Sequence, residues 1–285
     1  MAGGSIYGLY WCRDQALALP EYHRSASITL TNLPNWLRRP ENKHVVDEIL
    51  RHASKLDPRK YVIASDELTY RIARNLKECP WVDQVVFIRK QDHKAVVTAE
   101  CTYRMPTAWV QQLDRCYLVD AQGYRLPERY DPRQAQQNGL VTILGVAAGP
   151  PEPGQAWPGE DVRAGLRLAD MLQTSLRGKI AAIDVTNYRG RTNPLAPDIK
   201  LRPRELSSEI LWGHAPDEEF DMELTALDKI RLLEDNLQRY GRIDGNRPYL
   251  DIRTTPPYQP VDGPAGDAPK AGAVARRPGR NNARA

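Results

Sequence analysis

Residues 79–109 read Cys79-Pro80-Trp81-Val82-Asp83-Gln84-Val85-Val86-Phe87-Ile88-Arg89-Lys90, then Gln91-Asp92-His93-Lys94, then Ala95-Val96-Val97-Thr98-Ala99-Glu100-Cys101-Thr102-Tyr103-Arg104, and finally Met105-Pro106-Thr107-Ala108-Trp109. Val85 to Ile88 is a short apolar run, and Gln91 to Lys94 is a polar turn. Beyond the turn, Ala95, Val97, Ala99, Cys101 and Tyr103 alternate with Val96, Thr98, Glu100, Thr102 and Arg104. A period of two with one apolar and one mostly polar face predicts a half-buried antiparallel strand, paired across the turn with the run before it.

Upstream, the period changes. Val46, Ile49, Leu50 and Ala53 fall at i, i+3, i+4 and i+7 behind Asn42, a residue suited to cap a helix running to about Ser54. A second helix is expected after Ser65, with Leu68, Ile72 and Leu76 inward and Ala73 beside them. Cys79-Pro80 ends it, because proline disfavours helical geometry in the residue before it. Ile28, Leu30 and Leu33, separated by threonines and closed by Pro34, predict a short strand. Residues 27–105 therefore read strand, helix, helix, strand, strand. Three strands covered on one face by two helices bury every one of these stripes.

Downstream, Tyr117-Leu118-Val119 runs into the turn Asp120-Ala121-Gln122-Gly123, and Leu140 to Val146 is another apolar run. The proline- and glycine-rich residues 147–160 predict a loop. A helix is expected from about Asp161 to Leu176, with Val162, Ala169, Leu172 and Leu176 on one side. Ile180 to Tyr188, Ile199 to Leu201, Ile210 to Trp212 and Phe220 to Leu224 are strand candidates. Thr225 with Asp228 predicts a capped helix that turns Leu227, Ile230, Leu237 and Tyr240 inward and stops at Gly241. Tyr249 to Thr254 is the last expected strand, terminated by Pro256-Pro257.

Charge and composition narrow the function classes. The 285 residues carry a net +4, but residues 255–285 hold five basic and two acidic groups, while the other 254 hold 35 basic and 34 acidic. A nearly neutral body offers no broad phosphate-binding face, which argues against a nucleic-acid partner. The proline-, glycine-, alanine- and arginine-rich end has too few apolar groups to order itself. At the other end, Met1 to Cys12 lacks charge, and Tyr7, Tyr10, Trp11 and Arg13 fit either an interfacial belt beside a membrane helix or an unordered start.

Signals for chemistry are missing. Cys12, Cys79, Cys101 and Cys116 show neither a C-x-x-C pair nor zinc-site spacing, and read as small buried thiols; a Cys101–Cys116 bridge would need an exported chain. No phosphate-binding glycine loop, dinucleotide fingerprint or nucleophile elbow occurs. His23, His44, His52, His93 and His214 form no i,i+4 pair, and Glu218-Glu219 reads as a solvated acidic pair. The expectation is a protein without catalytic residues, cofactor, metal or small-molecule substrate.

Cys79-Pro80-Trp81-Val82, the strand ending in Arg89-Lys90, and Arg104-x-Pro106-x-Ala108 together resemble the FtsQ/DivIB family of bacterial cell-division proteins. Tyr103 stands where that family usually has Glu, and Asp92-His93 replaces its common Trp-Pro turn. Leu118-Val119-Asp120-x-x-Gly123 resembles the opening of the family's second domain. Trp212-Gly213, Leu227-Asp228-Lys229-Ile230 and Asp251-Ile252-Arg253 match its closing elements in order. The resemblance implies an α+β chain: a membrane-proximal segment (1–26), a POTRA-type domain (27–110), a larger mixed α/β "β domain" (111–254) with a C-terminal edge strand, and a tail (255–285). It further implies a single-pass inner-membrane protein with its bulk in the periplasm at the division septum. Met1 to Cys12 would then be the end of a membrane helix that starts upstream.

Family members hold FtsB/FtsL-like partners, work with other divisome components (FtsK- and FtsW/FtsI-like) and help recruit and control the septal cell-wall synthases. The implied docking strand is Tyr249, Leu250, Asp251, Ile252, Arg253 and Thr254. By period two, Leu250 and Ile252 face the core, with Tyr249, Asp251 and Arg253 outward. In the POTRA-type unit, Arg71, Arg74, Lys77, Val86 and Ile88 are the candidate partner surface, while Trp81 is expected to wedge helix against sheet. Two rivals remain: a POTRA-bearing secretion or outer-membrane assembly component, and a periplasmic wall enzyme with unsignalled carboxylates. A deep pocket with paired perturbed carboxylates would favour the enzyme, and an open edge strand over a shallow surface the scaffold.

Overall fold

The alternating stretch folds as its period requires: Val97, Ala99 and Cys101 are buried while Thr102 is exposed and Val96, Thr98 and Glu100 are only half-buried. It forms strand β3 (Val96–Tyr103), paired antiparallel with β2 (Val82–Gln91) and parallel with β1 (Ser27–Thr31), in the order β1-β3-β2. The computed structural model describes residues 24–55, 67–137, 139–204 and 207–254, with single positions at 8, 11, 12, 15, 63 and 65. The expected membrane-proximal segment and the 255–285 tail lie almost wholly outside the described residues. Among the described residues no helix is long and apolar enough to cross a membrane.

Helices α1 (Lys43–Ala53) and α2 (Leu68–Lys77) lie between β1 and β2 in the chain and pack on this sheet through Val45, Ile49, Ala53, Leu68, Ile72 and Leu76. The α1 stripe is rotated by one residue from expectation: Val45 is buried, whereas Val46 and Leu50 are half-buried. Asn42 stands at the α1 N-cap, but its side chain donates to the Trp36 carbonyl (2.7 Å) and makes no cap bond. Glu67, not Ser65, precedes α2; Ser65 contributes a backbone carbonyl to the Leu68 N–H (3.3 Å). Trp81 is buried, and its indole N–H reaches Glu48 of α1 (3.0 Å), tying the helix to the sheet.

The chain then enters an eight-stranded mixed sheet. Its strands are β4 (Pro106–Gln112), β5 (Arg115–Asp120), β6 (Arg125–Tyr130), β7 (Val141–Leu144), β8 (Ile180–Asp184), β9 (Ile199–Pro203), β10 (Glu209–Gly213) and β11 (Tyr249–Asp251), in the spatial order β11-β10-β9-β8-β7-β4-β5-β6. The change of sheet falls at 104–105, ahead of the division expected at 110. Arg104 clamps it: nearly buried, it bonds Asp120 (2.8 Å) and Asp83 (3.2 Å) and lies over the Tyr124 ring (3.8 Å).

Helices α4 (Glu160–Ser175) and α5 (Ala226–Tyr240) share one buried cluster with Ala108, Val110, Ile143, Ile183, Leu201, Trp212, Leu250 and Ile252, which all point to one face. On the opposite face Trp109, Cys116, Leu118 and Leu126, with Ala135 of the short helix α3 (Pro132–Gln137), join the buried cluster of the small sheet. All four cysteines are free thiols; Cys12 is exposed, and burial pushes Cys79, Cys101 and Cys116 up to about 11.

Three expectations for the large sheet fail. Phe220 to Leu224 is irregular chain, not a strand, because the Glu223 side chain is anchored between two other elements. In α5 the inward residues are Ala226, Lys229, Ile230 and Leu233, with Leu237 packed against them; Leu227 and Tyr240 are exposed. The cap itself stands: the Thr225 hydroxyl accepts the Asp228 N–H (3.3 Å), and Gly241 (φ 70°) ends the helix. Finally, β11 spans three residues and not the six from Tyr249 to Thr254. Asp251 accepts the Arg253 N–H (3.1 Å), which turns the chain out of strand geometry.

Candidate partner-binding edge

Strand β11 is the outermost strand of the large sheet, next to β10 alone. The two run parallel, with Tyr249 opposite Glu209 and Asp251 opposite Leu211. The Glu209 N–H bonds the Pro248 carbonyl (3.1 Å) and the Ile252 N–H bonds the Leu211 carbonyl (3.2 Å). Parallel pairing alternates along the strand, so residues 248, 250 and 252 serve β10, whereas Tyr249 and Asp251 aim their N–H and C=O groups away from it. Among the described residues these groups meet no further strand and are unpaired, but only Tyr249 is half-exposed, because Asp251 is 4% exposed beneath the Arg253 side chain. Just beyond, the edge closes: the Arg253 carbonyl accepts the Leu224 N–H (2.8 Å).

Leu250 and Ile252 are fully buried, as expected, and Tyr249 and Arg253 are half-exposed. Asp251 departs from expectation. It is buried, because the Arg253 guanidinium folds back on it through both Nε (3.0 Å) and Nη2 (2.7 Å). Thr254 is exposed, three residues beyond the end of the strand.

The side chains of this strand form one wall of an open groove of about 600 Å³, lined by Tyr249, Asp251, Arg253 and Thr254 and, opposite, by His214, Phe220, Met222 and Glu223. Phe220 (69% exposed) and Met222 (87% exposed) stand out of the irregular segment as its apolar rim. Phe220 meets the His214 ring edge-on at 4.3 Å. A second hollow of about 480 Å³, lined by Arg189, Pro194, Asp198 and Glu218, shares His214 and Phe220 with the first, so Phe220 is a ridge between two depressions.

What holds the rim in place lies beneath it. Lys229 has no exposed surface, and its ammonium bonds Glu223 (2.6 Å) over the face of Trp212 (4.9 Å). Glu223 also accepts the His214 N–H (2.9 Å) and contacts the His214 ring nitrogen Nδ1. Burial works to raise the Glu223 carboxyl, but the bonds from Lys229 and His214 outweigh it and hold the group below its ordinary value. Burial lowers Lys229, with Glu223 opposing. Gly213 permits the arrangement. Its φ is +99°, and a Cβ there would sit 1.9 Å from the Glu223 carboxylate. The two carboxylates of the groove are thus both engaged in ion pairs, Glu223 with Lys229 and Asp251 with Arg253.

No protein-family model matches this chain, and no curated protein matches it in sequence. The geometry alone describes the site.

The candidates on the small sheet do not gather into one surface. Arg71 pairs with Glu67 and Arg74 with Glu78 (3.1 Å) along α2, and Lys77 is exposed. Val86 is 55% exposed, but Ile88 turns toward the core, because the β2–β3 register shifts between Val85 and Phe87. That bulge exposes Phe87 (43%) in place of Ile88. Sequence reasoning assigned no role to His214, Phe220, Met222, Glu223 or Lys229. The one signal for them was a lysine inside an otherwise apolar helical stripe.

Proposed function

We propose that the chain is a divisome scaffold of the FtsQ/DivIB type, in which a POTRA-type unit precedes a β domain whose last strand receives a segment of an FtsB/FtsL-like partner. The observation that carries this reading is the outermost position of β11, which meets no further strand among the described residues. An incoming extended segment would pair with the outward N–H and C=O of Tyr249 and, once the Arg253 side chain moves aside, with those of Asp251, each bond contributing about 0.5–1.5 kcal/mol. Its side chains would alternate between the groove and the far side of the sheet, so main-chain pairing would give affinity and the Phe220–Met222 rim selectivity. The strand–helix–helix–strand–strand order of the small unit and its β1-β3-β2 sheet support the POTRA-type assignment. The saturated carboxylates of the groove support a binding role over hydrolysis. This reading places the chain outside the inner membrane, anchored by an N-terminal helix, and working with FtsK- and FtsW/FtsI-like proteins at the septum.

The test is capture of the FtsB/FtsL-like pair from detergent-solubilised membranes of the source cells by the full chain and by Tyr249→Pro. That change removes one outward N–H and none of the bonds to β10. The expected result is about tenfold weaker capture, the worth of one edge hydrogen bond plus the distorted neighbour. Undiminished capture by a folded Tyr249→Pro chain would overturn strand addition at β11.

A further inference from the structure

Where β7 and β8 begin and β9 finishes, two hollows meet at Gly178. Strand β10 runs antiparallel to β9, so it starts at this end of the sheet and finishes, at Gly213, at the opposite one, beside the groove described above. The larger hollow, about 290 Å³, has an apolar floor of Leu140, Val141, Leu172, Leu176 and Ile180, with Arg177 exposed at its margin. The smaller, about 50 Å³, sets Lys179, Arg204 and Arg242 around Pro203, Leu237 and Ile243. No described acidic residue lines either one.

Charge is poorly balanced here. The Arg204 guanidinium donates to the carbonyls of Gln136 (3.1 Å), Gly139 (3.1 Å), Leu140 (3.1 Å), Gly178 (3.2 Å) and Ile180 (3.2 Å), and among the described residues no carboxylate reaches it. Gly139, Leu140, Gly178 and Ile180 are walls of the larger hollow, so a fixed cation stands behind them. Its donors are taken up by the carbonyls, and it acts through its charge. Arg177 and Lys179, exposed on either side of Gly178, have no acidic partner among the described residues, and their donors are free. Arg242 differs: its Nε (3.0 Å) and Nη2 (2.7 Å) bond the fully buried Asp244. Helices α4 and α5 both end at this place, and each contributes about half a negative charge, which together offset one further cation. Two positive charges stay uncompensated beside an apolar floor, a local exception in a nearly neutral body.

An apolar hollow with a cationic lip suits an apolar chain that ends in an anion. A phosphate monoester carries about −1.5 to −2 charge at neutral pH, which matches the imbalance better than a carboxylate does. We propose that this end of the large sheet binds an amphiphilic phosphate monoester, its chain against Leu140, Leu172 and Leu176 and its phosphate between Arg177 and Lys179. The site shares no lining residue with the groove beside β11, so it does not rest on strand addition there.

The experiment titrates octyl phosphate, below its micelle concentration, into the full chain by isothermal titration calorimetry, with inorganic phosphate and octanol as head and chain alone. Octyl phosphate should bind at least about tenfold more tightly than either, since burying two methylene groups already contributes that much. The double variant Arg177→Gln, Lys179→Gln should bind it about tenfold more weakly, the worth of one charge-assisted hydrogen bond. Arg163→Gln, exposed in the first turn of α4, should leave binding unchanged. Inorganic phosphate bound as tightly as octyl phosphate would mean an adventitious ion only, and octanol bound as tightly an unselective apolar hollow; either overturns the proposal. Undiminished binding by a folded double variant, or no binding of octyl phosphate by the unaltered chain, overturns it as well.

Discussion

The molecule presents two very different sheet edges. Strand β2 closes one side of the small sheet over ten residues, Val82 to Gln91, and carries the exposed Val86 and Phe87. Strand β11 closes one side of the large sheet over only three. Length alone would make β2 the better template for another strand. Yet β2 has the features that blunt an edge: its register with β3 shifts twice, and Arg89 and Lys90 charge its far end. β11 pairs with β10 without a shift and lies beside a walled groove. On the proposed reading, a docking edge is defined less by how much backbone it offers than by whether a walled groove stands next to it.

The most severe way to break this contrast is to remove what holds the rim. Lys229→Met should destabilise the large sheet by about 3–5 kcal/mol, because it leaves the buried Glu223 carboxylate without its cation. Urea unfolding followed by tryptophan fluorescence measures it; a loss under 1 kcal/mol would mean that the ion pair does not anchor segment 220–224. Gly213→Ala comes next. It forces a side chain into a left-handed φ and into the Glu223 carboxylate, at about 2–3 kcal/mol, and the same unfolding curves report it.

A subtler change sharpens the contrast. Phe87→Ser on β2 should leave capture of the FtsB/FtsL-like pair within about twofold of the unaltered chain, as expected of a surface change worth under 0.5 kcal/mol. A large loss there would move the docking surface to the small sheet. The smallest effect is a pH dependence between the two units. His44 of α1 bonds Glu128 of β6 at 2.7 Å, and that bond, against the opposing effect of burial, raises the His44 value above its ordinary one. The folded state therefore gains stability that is complete below the unfolded histidine's value and disappears as pH rises through the raised folded value. Both groups lie near the surface, so the gain is a few tenths of a kcal/mol. It should vanish in His44→Gln when unfolding is compared at pH 5.5 and 8.

Periodicity made much of the small sheet legible. Val97, Ala99 and Cys101 declare β3, and Leu68, Ile72 and Leu76 declare α2, since each stripe faces one environment. The register shift in β2 left no trace in sequence, because Val85, Val86, Phe87 and Ile88 are all apolar and any two could face inward. β6 escaped notice for the opposite reason: in Arg125-Leu126-Pro127-Glu128-Arg129-Tyr130 only Leu126 is buried. Phe220 to Leu224 looked like a strand from its residue types, but a single buried ion pair decides its path. In α5, hydrophobicity points Leu227 and Tyr240 inward, whereas Lys229 holds the buried position because Glu223 pairs with it there. The end strand was legible through Leu250 and Ile252; its short length was not, as it depends on Asp251 capturing the Arg253 N–H.

Strands β10 and β11 run the same way, so the chain must travel back along the sheet through α5 before it can lay down Tyr249 to Asp251. During synthesis, the β11 edge cannot exist until the helix and residue 251 have both been made. On the proposed reading, a half-made or misassembled chain would have nothing to offer a guest strand, and recruitment would be timed by completion of folding itself.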